Sequence, residues 1–231
     1  MPISETFRSI QGEGKLTGVP SFFVRLSGCN LRCRWCDTPY ASWKPEAGQR
    51  SIDSLIDEAA SSGVGHVVLT GGEPLIFEGA GALCAGLRAR GLHVTIETAG
   101  TRAPEVRCDL MSISPKLGNS TPWQDPRDPD GSWARRHEER RLNISAIERL
   151  LTLGEDRQLK FVVCGPTDLE EIDAMVARLQ GVQAEDVMLM PEGVRVPGRE
   201  QTDWVVRACM ERGWRYGQRL HIALFGNTRG T

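Results

Sequence analysis

The chain contains no hydrophobic run near the roughly 18 apolar residues of a membrane span. Its start, Met1-Pro2-Ile3-Ser4-Glu5-Thr6, lacks the basic residues and apolar core of a secretory signal. A cytoplasmic protein without a membrane partner is the expectation. Neither charge is in excess: 28 Lys plus Arg face 30 Asp plus Glu in 231 residues. The net charge of −2 removes the electrostatic reason to expect nucleic acid as the main partner, and points to a small-molecule substrate. Internal repeats and low-complexity tracts are also missing. The seven cysteines do not pair evenly, and three of them crowd into eight residues, poor geometry for a disulfide framework in a chain long enough to bury its own core. Reduced thiols follow. Cys84, Cys108, Cys164 and Cys209 are scattered, and three of these fall in apolar or helical surroundings where cysteine packs as a small hydrophobe.

What is present is an alternation of short β-branched runs with helical patterns. Six strands are predicted at Ser21–Leu26, His66–Thr70, Leu92–Glu97, Leu110–Ser114, Leu159–Val163 and Asp186–Met190. Helices are predicted at Ile52–Ser62, Glu78–Arg90, Ile144–Leu153, Leu169–Leu179 and Gln201–Arg212. Ser145 and Asp168 are placed as N-terminal caps, and Gly63, Gly91, Gly154 and Gly213 as stops. A final strand is expected over Tyr216–Leu224. Such alternation implies right-handed crossovers and a parallel sheet, and six units fall short of the eight of a closed barrel. The predicted fold is an α/β partial, open (β/α)6-type barrel, with residues 1–231 forming one domain. At about 118–141 the pattern breaks into a proline- and aspartate-rich loop and then the charge-dense run Trp133–Arg141. That run reads either as a solvated helix start or as a docking face for an acidic electron-transfer partner.

The chemistry concentrates in Cys29-Asn30-Leu31-Arg32-Cys33-Arg34-Trp35-Cys36, just after the first predicted strand. Three thiolates on one loop suit three irons of a cubane, leaving the fourth iron open, much as a catalytic zinc site keeps one position free. The competing reading is a structural zinc site. That needs a fourth ligand, and none of His66, His93, His137 or His221 is near in sequence. Thr70-Gly71-Gly72-Glu73-Pro74 follows the second strand, where two glycines allow close approach of a ligand to the backbone. Ser114-Pro115-Lys116 closes the fourth. All three motifs fall at carboxyl ends of strands, the active face of a βα barrel.

The Cys-x3-Cys-x2-Cys spacing, with an aromatic residue before the last Cys, resembles the signature of the radical S-adenosylmethionine superfamily, and Gly71-Gly72-Glu73 resembles its GGE motif. Over nearly the whole length the chain resembles the 7-carboxy-7-deazaguanine synthase family. The likeness rests on Glu5-Thr6-Phe7, Ser9-Ile10-Gln11-Gly12-Glu13-Gly14, Gly18–Leu26, Cys36-Asp37-Thr38, Glu97–Gly100 and Ser114–Leu117. The resemblance implies a lyase that contracts 6-carboxy-5,6,7,8-tetrahydropterin with loss of ammonia, for queuosine or other 7-deazapurines. It implies a [4Fe–4S] cluster on Cys29, Cys33 and Cys36. S-Adenosylmethionine is expected among Trp35, Asp37, Gly72, Ser114, Pro115 and Lys116, with Trp35 against the adenine. The pterin is expected at Ile10, Gln11, Gly12, Arg25 and Thr70, with the fork of Arg25 on its carboxylate, and a magnesium ion at Thr38. A flavodoxin-like reductant and a homodimer are further implications. A glycyl-radical activase and a zinc-stabilised binding module are the alternative functions. Glu97 is open between a nucleoside contact and a structural hydrogen bond, and Lys160, Glu192 and His221 have no assigned role.

Overall fold

Alternation with period two decides which side of each strand faces the helices. Along the strands, Phe22, Val24 and Leu26, then Val67 and Leu69, then Val94 and Ile96 are fully or almost fully buried in one apolar core. Their odd-phase neighbours point to the other face, where Phe23, Arg25, Val68, Thr70 and Glu97 line a cavity. The structure, a computed structural model, describes all 231 residues. The elements in chain order are strands β1 (Pro2–Ile10), β2 (Pro20–Leu26) and β3 (Gly48–Gln49), helix α1 (Ile52–Ser61), β4 (His66–Gly71), α2 (Ala80–Ala89), β5 (His93–Thr98) and β6 (Cys108–Ile113). They continue with α3 (Ser132–Arg140), α4 (Ile144–Leu150), β7 (Gly154–Val163), α5 (Asp168–Val176), β8 (Val187–Pro191), α6 (Arg199–Arg212), β9 (Arg215–Tyr216) and α7 (Leu220–Phe225).

All nine strands form one sheet in the order β3-β1-β2-β4-β5-β6-β7-β8-β9. From β2 to β9 every neighbouring pair is parallel, while β1 runs antiparallel to both β2 and β3. Because β3 and β9 remain separate edges, the sheet curls without closing, and the fold is the open, partial barrel that the alternation implied. The six predicted parallel strands are β2 and β4 to β8. Helices cover the outer face, with Leu55 and Ala59 of α1, Leu83 and Leu87 of α2, Ile147 of α4, Ile172 of α5 and Val205 of α6 all packed into the core. Each of the Leu, Ile and Val side chains among them contributes roughly 1.5–3 kcal/mol by leaving water.

The structure adds one strand that the pattern does not predict and corrects four expectations: the final strand, the Ser145 and Asp168 caps and the Gly154 stop. The first strand, β1, has no sequence signal, because only Ile3, Phe7 and Ile10 interrupt its polar run; antiparallel pairing with β2 holds it in place. The final strand predicted over Tyr216–Leu224 ends at Tyr216, and Leu220–Phe225 is helical, with the Leu220 N–H donating to Gly12 O at 2.8 Å. Helix α4 is capped by Asn143, whose Oδ1 accepts from the Ala146 N–H at 3.1 Å, so Ser145 lies inside the first turn and Gly154 begins β7. Asp168 begins α5 rather than preceding it, yet its Oδ2 does accept the Cys164 and Gly165 N–H groups just upstream.

Candidate active site

The carboxyl ends of the parallel strands surround a cavity of about 460 Å³, within the range of small-molecule sites. Fourteen of the fifteen site residues expected from sequence line it. They are Ile10, Gln11, Gly12, Arg25, Cys29, Cys33, Trp35, Cys36, Asp37, Thr38, Thr70, Gly72, Ser114 and Lys116. The exception is Pro115, which is buried and does not reach the lining.

One wall is the cysteine loop that follows β2. Its backbone is pinned by side chains rather than by a regular element: Arg32 Nη1 donates to Cys29 O at 2.8 Å, and Trp43 Nε1 donates to Cys33 O at 3.0 Å. Burial pushes the Cys29 thiol up to about 12, helped by the Glu73 carboxylate. Burial likewise raises Cys33, and it raises Cys36 with Asp37 adding to the effect. Thiols held this way ionise only against a bound cation, so taking up iron releases their protons. Cys29, Cys33 and Cys36 all line the cavity from this one loop.

The glycine motif closes beside this loop. A Cβ on Gly72 would lie 2.3 Å from Gly28 O and 2.6 Å from Ala41 O, so only glycine fits between the two loops. Glu73 is fully buried, with Oε1 accepting from Thr98 Oγ1 at 2.7 Å and from the Leu75 N–H at 3.0 Å, while Oε2 accepts from the Ala99 N–H at 2.7 Å. It fastens the end of β4 to the end of β5 and is not part of the cavity lining. Lys116 Nζ donates to both Ser114 oxygens at 2.7 Å and stands 5.8 Å from the centre of the Trp35 ring, whose Nε1 donates to Asn119 Oδ1.

The opposite wall joins distant parts of the chain. Lys160, on β7, is 2 % exposed, and its Nζ lies 2.8 Å from Glu13 Oε2 and 2.7 Å from Glu97 Oε2. Arg219 Nε adds a third ion pair, 3.2 Å from Glu13 Oε1. Two carboxylates against two cations leave the group neutral overall. Burial alone would raise Glu13, but Lys160 and Arg219 together hold its carboxyl well below the usual range. Lys160 is correspondingly held charged by the two carboxylates despite its burial. Gln11 Nε2 and Ser112 Oγ donate to Glu97 at 3.4 and 2.8 Å, and Glu97 also lines the cavity. His221 sits against Gly12, where a Cβ would be 2.0 Å from its Nδ1. Lys160, Arg219 and His221 therefore line the cavity without any sequence motif announcing them, and Glu13 joins them from the Gln11-Gly12-Glu13-Gly14 motif; Glu192 does not line it.

Arg25 lies between the walls. Its Nε donates to Glu5 Oε1 at 2.7 Å, and the same oxygen accepts from Tyr40 Oη at 2.8 Å. That leaves the two Nη groups of Arg25 free of any protein bond, the arrangement a planar fork needs to grip a carboxylate end-on. Thr38 Oγ1 lies 3.8 Å from Cys36 Sγ, and Thr38 lines the same cavity.

Comparisons with known proteins agree with this geometry. Residues 23–115 match the radical SAM superfamily. The chain is 52% identical to the 7-carboxy-7-deazaguanine synthase of Rhodopirellula baltica, over 99% of this chain and 88% of that protein. It is 45% identical to the synthase of Halobacterium salinarum, over 100% of this chain and 93% of the other. A crystal structure of QueE from Escherichia coli superposes with a TM-score of 0.73 at 30% identity, covering 95% of this chain and 94% of that one. With the cysteine loop, the glycine motif and the polar wall on one cavity, these similarities place the chain in the 7-carboxy-7-deazaguanine synthase family of radical S-adenosylmethionine enzymes.

Proposed function

We propose that this chain, as a single domain, converts 6-carboxy-5,6,7,8-tetrahydropterin to 7-carboxy-7-deazaguanine and ammonia. The observation that carries the reading is the pairing, in one cavity, of a three-thiol loop with an arginine fork and a buried polar wall. Cys29, Cys33 and Cys36 would hold a [4Fe–4S] cluster. Together with S-adenosylmethionine, that cluster supplies one-electron cleavage and a hydrogen-abstracting radical. The protein's own part is binding, orientation and exclusion of water. Gly72 presents its backbone to the cosubstrate, Trp35 offers an aromatic face, and Lys116 offers a cation for a carboxylate, with Asp37, Ser114 and Pro115 beside them. Arg25 receives the pterin carboxylate on its free Nη groups, while Ile10, Gln11, Gly12 and Thr70 meet the ring. The Glu13–Lys160–Glu97 group fixes Gln11 from behind. Thr38 would supply one oxygen to a magnesium ion whose other ligands are substrate and water. A flavodoxin-like donor, a homodimer and a cytoplasmic setting complete the reading.

The test is anaerobic reconstitution with iron and sulfide, followed by incubation with S-adenosylmethionine, a reductant and the tetrahydropterin. Mass spectrometry should find the deazapurine. Its absence from a preparation shown to bind both cluster and cosubstrate would overturn the proposal.

A further inference from the structure

We infer that residues 118–141, which the sequence pattern reads as a loop followed by a charge-dense run, clamp the cysteine loop, and that His137 is the positioning residue of this clamp. The inference rests on the reading that Cys29, Cys33 and Cys36 hold a cluster. His137 lies on α3 and is fully buried. Its Nδ1 is 3.1 Å from the backbone nitrogen of Arg32, between the first two cysteines. Its Nε2 is 2.9 Å from Ser120 Oγ. The hydroxyl proton of Ser120 is already committed, since Ser120 Oγ donates to Leu117 O at 2.6 Å. The hydroxyl must therefore accept from Nε2–H. That fixes the tautomer and leaves the Nδ1 lone pair for the Arg32 N–H. Burial keeps the ring neutral, lowering it to about 4 against the opposing pull of Glu138, so the acceptor is present at working pH.

Other contacts from the same segment reach the same loop. The Arg34 N–H, between the second and third cysteines, donates to Ser120 O at 2.9 Å. Arg127 Nη2 donates to Arg34 O at 2.8 Å, and the Arg32 guanidinium lies 3.9 Å over the Trp133 ring. The cysteine loop has no regular secondary structure of its own, so its amides must find partners elsewhere. Two of them end on this segment, one at His137 and one at the carbonyl of its hydrogen-bond partner Ser120. A loop held this way keeps its three thiols in place as the cluster is taken up or challenged.

Packing and positioning can be separated by choosing which ring nitrogen to imitate. Asn places Oδ1 close to the position of Nδ1 and can accept the Arg32 N–H, whereas Gln reaches toward Ser120 and Leu does neither. After anaerobic reconstitution, iron and sulfide per chain and the half-life of the cluster under chelator challenge are measured. The melting temperature of the iron-free chain serves as the folding control. His137→Asn should keep a half-life within about threefold of the parent, whereas His137→Gln and His137→Leu should shorten it about tenfold, the effect of one orphaned buried N–H. Ser120→Ala, which keeps the ring but frees its tautomer, should shorten the half-life about threefold and covers the case in which the His137 variants do not fold. Gln and Leu variants that hold the cluster as long as Asn, or an unchanged half-life in Ser120→Ala, would overturn the clamp. A parent chain that takes up no cluster would instead overturn the proposed function.

Discussion

The two walls of the cavity are assembled by different means. The cysteine wall is local, with Cys29, Cys33 and Cys36 on a single loop. The polar wall is long-range: Glu13 meets Lys160 across 147 residues of sequence and Arg219 across 206. The local wall depends on spacing, and its side chains need an external cation before they can ionise. The long-range wall depends on the register of the sheet, and its charges neutralise one another. Damage to the first should therefore remove chemistry while sparing the fold, and damage to the second should cost stability as well.

The largest effect tests the local wall. Replacing Cys29, Cys33 or Cys36 by Ala should abolish iron–sulfur absorbance and turnover together, with the iron-free melting temperature almost unchanged. Turnover surviving in any of the three would break the distinction. Lys160→Met strikes the other wall, leaving Glu97 without a cation and Glu13 with Arg219 alone. Denaturant unfolding should show a loss of about 3–5 kcal/mol, the cost of removing one partner of a buried ion pair.

Away from both walls, His66 at the start of β4 provides an acid-sensitive reference. It is held between Ser21 Oγ at 2.7 Å and Thr95 Oγ1 at 2.8 Å, and burial, reinforced by His93, lowers it to about 4. The unfolded chain takes up this proton at about 6.5, so between those values it binds more protons than the folded chain, and stability falls as pH falls. Unfolding measured from pH 7 to 4 should show about 3 kcal/mol of loss from this source, absent in His66→Leu. Arg25→Lys should weaken pterin binding by about 1–3 kcal/mol, because a point charge replaces a fork. S-Adenosylmethionine binding should be untouched, and equal weakening of both ligands would make Arg25 structural. Thr38→Ala should have the smallest effect, loss of magnesium stimulation with cluster and cosubstrate retained. A normal magnesium response would remove Thr38 from the metal site.

Legibility in the sequence follows the same division. The six parallel strands and the motifs at their ends could be read because each signal lies within a few residues, as in Cys29–Cys36 or Gly71-Gly72-Glu73. Thr70, Gly72 and Ser114 line the cavity because strand ends sit on one face. Lys160 carried no signal: it reads as one polar residue in an apolar strand until the register places Glu97 and Glu13 against it. Strand β1 was missed because its order comes from pairing with β2 and not from its own side chains. His137 reads in sequence as one member of the charge-dense Trp133–Arg141 run, and its contact with the Arg32 amide depends on how α3 folds back over the cysteine loop. Leu220–Phe225 was read as strand because its apolar residues fit either period, and its contact with Gly12 decides for helix.

The central claim is that one cavity carries its radical chemistry on the cysteine wall and holds its substrate through the other. The most direct measurement is cluster content and deazapurine yield, determined on the same anaerobically reconstituted preparations of the parent, Cys33→Ala and Lys160→Met. The parent should contain cluster and make product, Cys33→Ala should have neither, and Lys160→Met should keep its cluster while product falls. A Lys160→Met chain that loses cluster and product in equal proportion, or a Cys33→Ala chain that still turns over, would contradict it.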